Sequence, residues 1–155
     1  ADPEILVAIG DLAGSTDTTG LRAPTVTHMR FVKGTTAATD LTAGSSSQTI
    51  QVEITWDEGI TVAGSPTVAV ANGNEGTGSG RGPYTCVYTA TGSTANRKRF
   101  ILASQTIVED DVLTLGGANI ALAGGTISDT VRGGTAQAAS LVLSGLTAVT
   151  HTVLA

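Results

Sequence analysis

From Gln48 to Trp56 the chain alternates strictly: Ile50, Val52, Ile54 and Trp56 are apolar, and Gln51, Glu53 and Thr55 between them are polar. Successive side chains of a β-strand point to opposite faces, so this period of two, with charge on one side, predicts a half-buried strand.

The rest of the chain repeats the theme in shorter pieces. Thr25 to Val32 alternates, with Val26 and Val32 assigned to one face and Met29 and Phe31 to the other. Ile60 to Val62, Thr67 to Ala71, Tyr84 to Ala90, Arg97 to Ala103 and Val112 to Leu115 read as further strands, with Val68 and Val70 sharing a face. Ile120 to Leu122, Thr126 to Ile127, Leu141 to Leu143 and Thr147 to Leu154 complete the series. Turns separate them at Asp57-Glu58-Gly59, Gly64-Ser65-Pro66, Gly116-Gly117 and Gly124-Gly125. Residues 34–47 and the glycine-rich 72–82 are the long connections. Thr and Val suit a pleated surface because of their branched Cβ, and the 20 glycines punctuate it. No segment predicts a helix; the alanines of Thr135 to Ser140 span too few residues. Roughly eight to ten short strands at regular spacing predict an all-β sandwich or barrel, and no longer repeat suggests a solenoid.

A chain of 155 residues suffices for one domain with a proper core. Residues 1–24 read as an N-terminal extended arm and 25–155 as the domain. Within the arm, the apolar run containing Ile5, Leu6, Val7 and Ile9 is followed by Gly10 and a polar stretch. Those four residues are the predicted subunit interface. Two readings stand: an edge strand of the chain's own sheet, or a strand that adds to a neighbour's exposed sheet edge.

Charge narrows the partners. Thirteen acidic residues against eight basic ones leave a net charge of −5, which argues against nucleic acid, whose phosphates demand a basic face. Arg97-Lys98-Arg99 is the one basic cluster; it reads as a solvated strand end, with an ion pair to an acidic neighbouring subunit as the sharper reading. No apolar stretch approaches the roughly 20 residues of a membrane-spanning helix, so no membrane is expected. Ala1-Asp2-Pro3-Glu4 lacks the positive start of a signal peptide, so either an initiator Met preceded Ala1 or a signal was cut upstream.

Chemistry-bearing patterns are sparse. Cys86 alternates with Tyr84 and Tyr88 and reads as a small buried hydrophobe, without the electropositive setting of a reactive thiol. His28 and His151 read as surface strand residues rather than as bases. Glu109-Asp110-Asp111, with Asp129 as a possible neighbour, is the densest acidic run, yet adjacent carboxylates on a strand diverge and no calcium-loop spacing is present. The loop 72–80 lacks the Gly-Lys-Ser/Thr ending and following helix of a phosphate site. The reading is a non-enzymatic chain with no catalytic residues, no metal and no cofactor.

Val52-Glu53-Ile54-Thr55-Trp56-Asp57-Glu58 is a strand ending in an acidic turn, and the segment from Ile60 to Val70 is a following hairpin. Tyr88 to Ser93, Leu113-Thr114-Leu115 and Ile120 to Asp129 come next in order. From about Thr49 to Leu146, roughly two thirds of the chain, this succession resembles the bacterial immunoglobulin-like domains of surface adhesins and phage structural proteins. Adhesins string many copies together, whereas this chain carries one copy with its own arm, so the resemblance points to a phage capsid decoration (cement) protein. It implies an immunoglobulin-like β-sandwich on the capsid surface of a virion, bound to the major capsid protein or to identical subunits as a homo-oligomer in a larger assembly. The alternative is an extracellular filament or adhesin subunit that assembles by donor-strand exchange. A third reading is a glycan-binding module, which would need exposed rings from among Trp56, Tyr84, Tyr88, Phe31 and Phe100.

Overall fold

The computed structural model describes residues 23–33, 36–37, 44–73, 82–130 and 136–154. The apolar arm residues Ile5, Leu6, Val7 and Ile9 lie outside the described residues, as does most of the glycine-rich loop. The strand Gly44–Trp56 (β3) contains the alternating segment, and its pattern holds: Ile50, Val52, Ile54 and Trp56 have no exposed surface. Around it lie β1 (Val26–Lys33), β2 (Thr36–Ala37), β4 (Ile60–Ala63), β5 (Thr67–Asn72) and β6 (Tyr84–Thr89). Then come β7 (Arg97–Ile107), β8 (Val112–Leu115), β9 (Thr126–Asp129) and β10 (Val149–Thr152). The described residues contain no helix, and every strand pair is antiparallel.

Eight strands form one continuous hydrogen-bonded order, β10-β8-β5-β6-β7-β3-β1-β2, and β4 pairs with β9 as a separate ribbon. The inner face carries Met29, Phe31, the four β3 residues, Val68, Val70, Tyr84, Cys86, Phe100, Leu113 and Leu115. Ile60 and Ile127 from the ribbon join the same core. Each large side chain so buried contributes roughly 1.5–3 kcal/mol. The sheet curls until its ends approach, giving a nearly closed, barrel-like body. Phe31 of β1 and His151 of β10 meet across the seam, their ring centroids 6.1 Å apart. Gly116 is part of the same closure: its backbone has φ +102°, and Met29 lies where a side chain would otherwise stand.

Several expectations need adjustment. Alternation places Val26 and Met29 on opposite faces, but a register shift between Val26 and His28 turns the strand. Val26 therefore pairs with Trp56 and packs on the core beside Met29 and Phe31. β2 falls within the stretch read as a connection, and β3 and β7 run longer than their apolar patterns. Ile120 to Leu122 makes only an isolated bridge, Thr67 with Ala121, and Leu141 to Leu143 is no strand. These last segments pack without a ladder: the Trp56 indole donates to the Ser140 carbonyl at 3.0 Å, and Leu143 is fully buried.

Candidate functional site

The alternation that buries one face of β3 pushes Glu53 onto the other. There the register aligns three strands, with Arg30 of β1 and Arg99 of β7 flanking Glu53, and Arg97 two pairs further along opposite Thr55. Arg30 donates from Nε and Nη2 to Glu53 Oε1 at 2.9 and 2.7 Å. Arg99 Nη2 donates to Oε2 at 2.8 Å, and Arg97 Nε lies 3.6 Å from the same oxygen.

Three guanidinium groups on one carboxylate leave two positive charges in excess on a chain that is acidic as a whole. Glu53 is only 1% exposed, whereas the Arg30 and Arg97 side chains keep 30% and 39% of their surface. Burial alone would raise the Glu53 carboxyl. Hydrogen bonds from Arg99 and Arg30, with the charges of Arg30 and Arg97, outweigh it and hold the group below its ordinary value. The Nε atoms of Arg97 and Arg99 are buried without a hydrogen-bond partner. Arg99 is fixed from behind: its backbone N–H donates to Ser93 Oγ at 2.9 Å, and Gly92, at φ +79°, lies against its guanidinium.

This corrects the reading of Arg97-Lys98-Arg99 as a solvated strand end. Arg99 is buried, and Lys98 points to the opposite side, also buried, with Nζ donating to the Thr94 carbonyl at 2.8 Å. Burial lowers the Lys98 ammonium from its ordinary value. No sequence motif marks Arg30. Its place on the polar side of a predicted strand was visible, but its partner lies 23 residues away and depends on register.

A second feature is the seam. β2 pairs only with Val32 and Lys33, so β1 from Val26 to Phe31 has no ladder on its outer edge among the described residues. Among the described strands β10 pairs with β8 alone. Between them lies a cleft of about 260 Å³ lined by Thr27, His28, Met29, Leu146, Thr147 and Val149.

The remaining candidates are scattered. Cys86 is fully buried, and desolvation pushes its thiol up to about 12, in keeping with a core role. Trp56 and Phe100 are core residues, Tyr84 and Phe31 are buried, and Tyr88 packs edge-on against Phe100. Trp56, Phe100, Tyr84 and Phe31 offer no open stacking face for a sugar, and Tyr88 is half-buried. His28 is exposed at the cleft, whereas His151 is half-buried beside Phe31. Glu109 and Asp110 are exposed on a turn, but Asp111 is buried and accepts the Val108 N–H at 3.0 Å. Asp129 accepts the Gln137 N–H at 2.7 Å. Among the described residues no three His, Cys, Asp or Glu side chains converge to hold a metal.

Fold and surfaces together define an antiparallel, barrel-like β body with a built cationic face and an incompletely paired seam. Compared with known proteins, the chain matches no family model, no curated protein and no solved structure. No helix among the described residues is long and apolar enough to cross a membrane.

Proposed function

We propose that this chain is a virion structural protein that decorates or cements a phage capsid through protein–protein contacts, with the major capsid protein or identical subunits as its partners. The observation that carries the reading is the Arg30–Glu53–Arg97–Arg99 cluster. A carboxylate buried under three guanidinium groups fixes charge on the middle of a sheet, where it serves a docked surface better than it serves folding. The immunoglobulin-like sandwich belongs to the same reading, supported by the antiparallel pairing of all the described strands. The role needs no turnover, cofactor or metal, and the acidic balance of the chain disfavours nucleic acid as a partner. The arm, through Ile5, Leu6, Val7 and Ile9, would supply further attachment.

An antiserum against the chain tests the proposal on phage particles purified from the source culture. Labelling of capsid surfaces in electron micrographs is the expected result. Unlabelled capsids would remove it.

The seam favours one alternative, an extracellular filament or adhesin subunit. The outer edges of β1 and β10, which carry no ladder among the described residues, are where a donated strand could add. Labelling of cell-surface fibres in place of capsids would select that reading.

A further inference from the structure

We infer that the Arg30–Arg97–Arg99 face binds the acidic turn Glu109–Asp110 of a second copy of the chain. The inference rests on the assembly role proposed above and names one contact within it.

The face is incomplete by its own chemistry. Among the described residues three positive charges meet one negative, and the Arg30 and Arg97 side chains keep 30% and 39% of their surface open to a partner. Guanidinium groups are best matched by carboxylates. The missing complement is two negative charges on something narrow and stiff.

The chain carries such an element. Residues 108–111 form a turn closed by the Asp111 N–H on the Val108 carbonyl at 3.1 Å. Asp110 holds φ +66°, the left-handed conformation that the third position of a type II turn takes. The turn is pinned from behind, because the Asp110 N–H donates to Val153 and the Val153 N–H donates to Asp111. Asp111 is drawn inward, so Glu109 and Asp110 alone stand outward, both exposed. Two carboxylates on a rigid tip match the excess on the face.

Geometry makes the contact intermolecular. Arg97 and Arg99 begin β7, and the turn follows its end at Ile107. At about 3.3 Å per residue the two features lie on the order of 30 Å apart along one strand. They cannot meet within one copy. Joining different surfaces of two copies makes a head-to-tail contact, which closes into a ring or continues as a file.

Sedimentation velocity of the full chain tests this at about 50 mM and about 500 mM salt, where screening differs most. Concentration-dependent association at the lower salt and dissociation at the higher are expected. Arg97→Gln should weaken association about fivefold, and Glu109→Lys with Asp110→Asn about tenfold or more. The turn variant should keep the parent melting temperature; it lies far from the Glu53 cluster and so separates loss of the contact from any loss of stability in Arg97→Gln. Mixing the two variants should restore one full-strength contact, since the intact turn of the first meets the intact face of the second. A parent chain that stays monomeric at the lower salt overturns the inference. So does undiminished association of the turn variant, or a mixture no tighter than its parts. The measurement uses purified protein alone, so its failure leaves capsid labelling to be judged independently.

Discussion

Arg99 and Glu53 face each other across neighbouring antiparallel strands, joined by a 2.8 Å bond from Nη2 to Oε2 on the side of the sheet away from the core. The pair lies 46 residues apart in sequence, and Arg30 completes it from the other flank. Removing water from a carboxylate is costly, and only the surrounding guanidinium groups offset it.

Glu53→Ala therefore leaves buried cations without their counter-charge and should destabilise the fold by roughly 3–5 kcal/mol in urea titrations. Acid acts on the same group. The folded carboxyl lies below its ordinary value of 4.5, so its stabilisation is full above that pH and is lost as pH falls through the folded value. The parent chain should lose stability in that acid window more steeply than Glu53→Gln. Parallel acid slopes for the two proteins would contradict the assignment.

Gly92→Ala puts a Cβ 2.6 Å from Arg99 Nη1 at a backbone φ of +79°. A loss of about 1–3 kcal/mol in chemical denaturation is expected, from left-handed strain together with displacement of the guanidinium. Gly117→Ala is the control, because nothing lies within 4 Å of its Cβ position and its φ is unexceptional. That variant should stay within about 0.5 kcal/mol of the parent.

Trp56 is fully buried and donates to the Ser140 carbonyl. Trp56→Ala should cost roughly 3–5 kcal/mol, and Trp56→Phe a smaller amount, since packing is largely kept and one hydrogen bond is lost. As the chain's one tryptophan, it also reports unfolding directly: its emission should shift to the red with denaturant. A native spectrum already at the solvent-exposed wavelength would place the indole outside the core.

Cys86 should resist an aromatic disulfide reagent in the native state and react at once when unfolded. Burial raises its thiol from 9.0 to about 12, so the folded state favours the neutral form. The associated stabilisation is full below pH 9 and is lost as pH rises toward 12. Cys86→Ala should flatten that alkaline decline in melting temperature.

On the proposed capsid role, deleting residues 1–12 should leave the unfolding transition of the β body in place and abolish joining to the capsid. Burying Ile5, Leu6, Val7 and Ile9 against a neighbour is worth roughly 1.5–3 kcal/mol each before ordering costs. Full occupancy by the truncated chain would detach the arm from assembly.

Local pattern carried much of the fold. Alternation in β3, the shared face of Val68 and Val70, and the burial of Trp56 and Cys86 all follow from a period of two, which neighbouring residues set among themselves. Where a single residue breaks the period, as between Val26 and His28, the pattern misassigned a face, because a bulge is defined only against its partner strand. The candidate site was less legible. Glu53 stood out as a charge on a strand, yet nothing nearby in sequence announced Arg30 or Arg99 as its partners.

The sequence by itself determined that this chain is built from strands, where most of them lie and which side chains turn inward. Tertiary structure alone decided that β1, β3 and β7 lie side by side in the register that stacks three arginines on one carboxylate. The difference is physical. Strand facing depends on backbone geometry between adjacent residues, whereas register depends on closing loops of tens of residues around a common core.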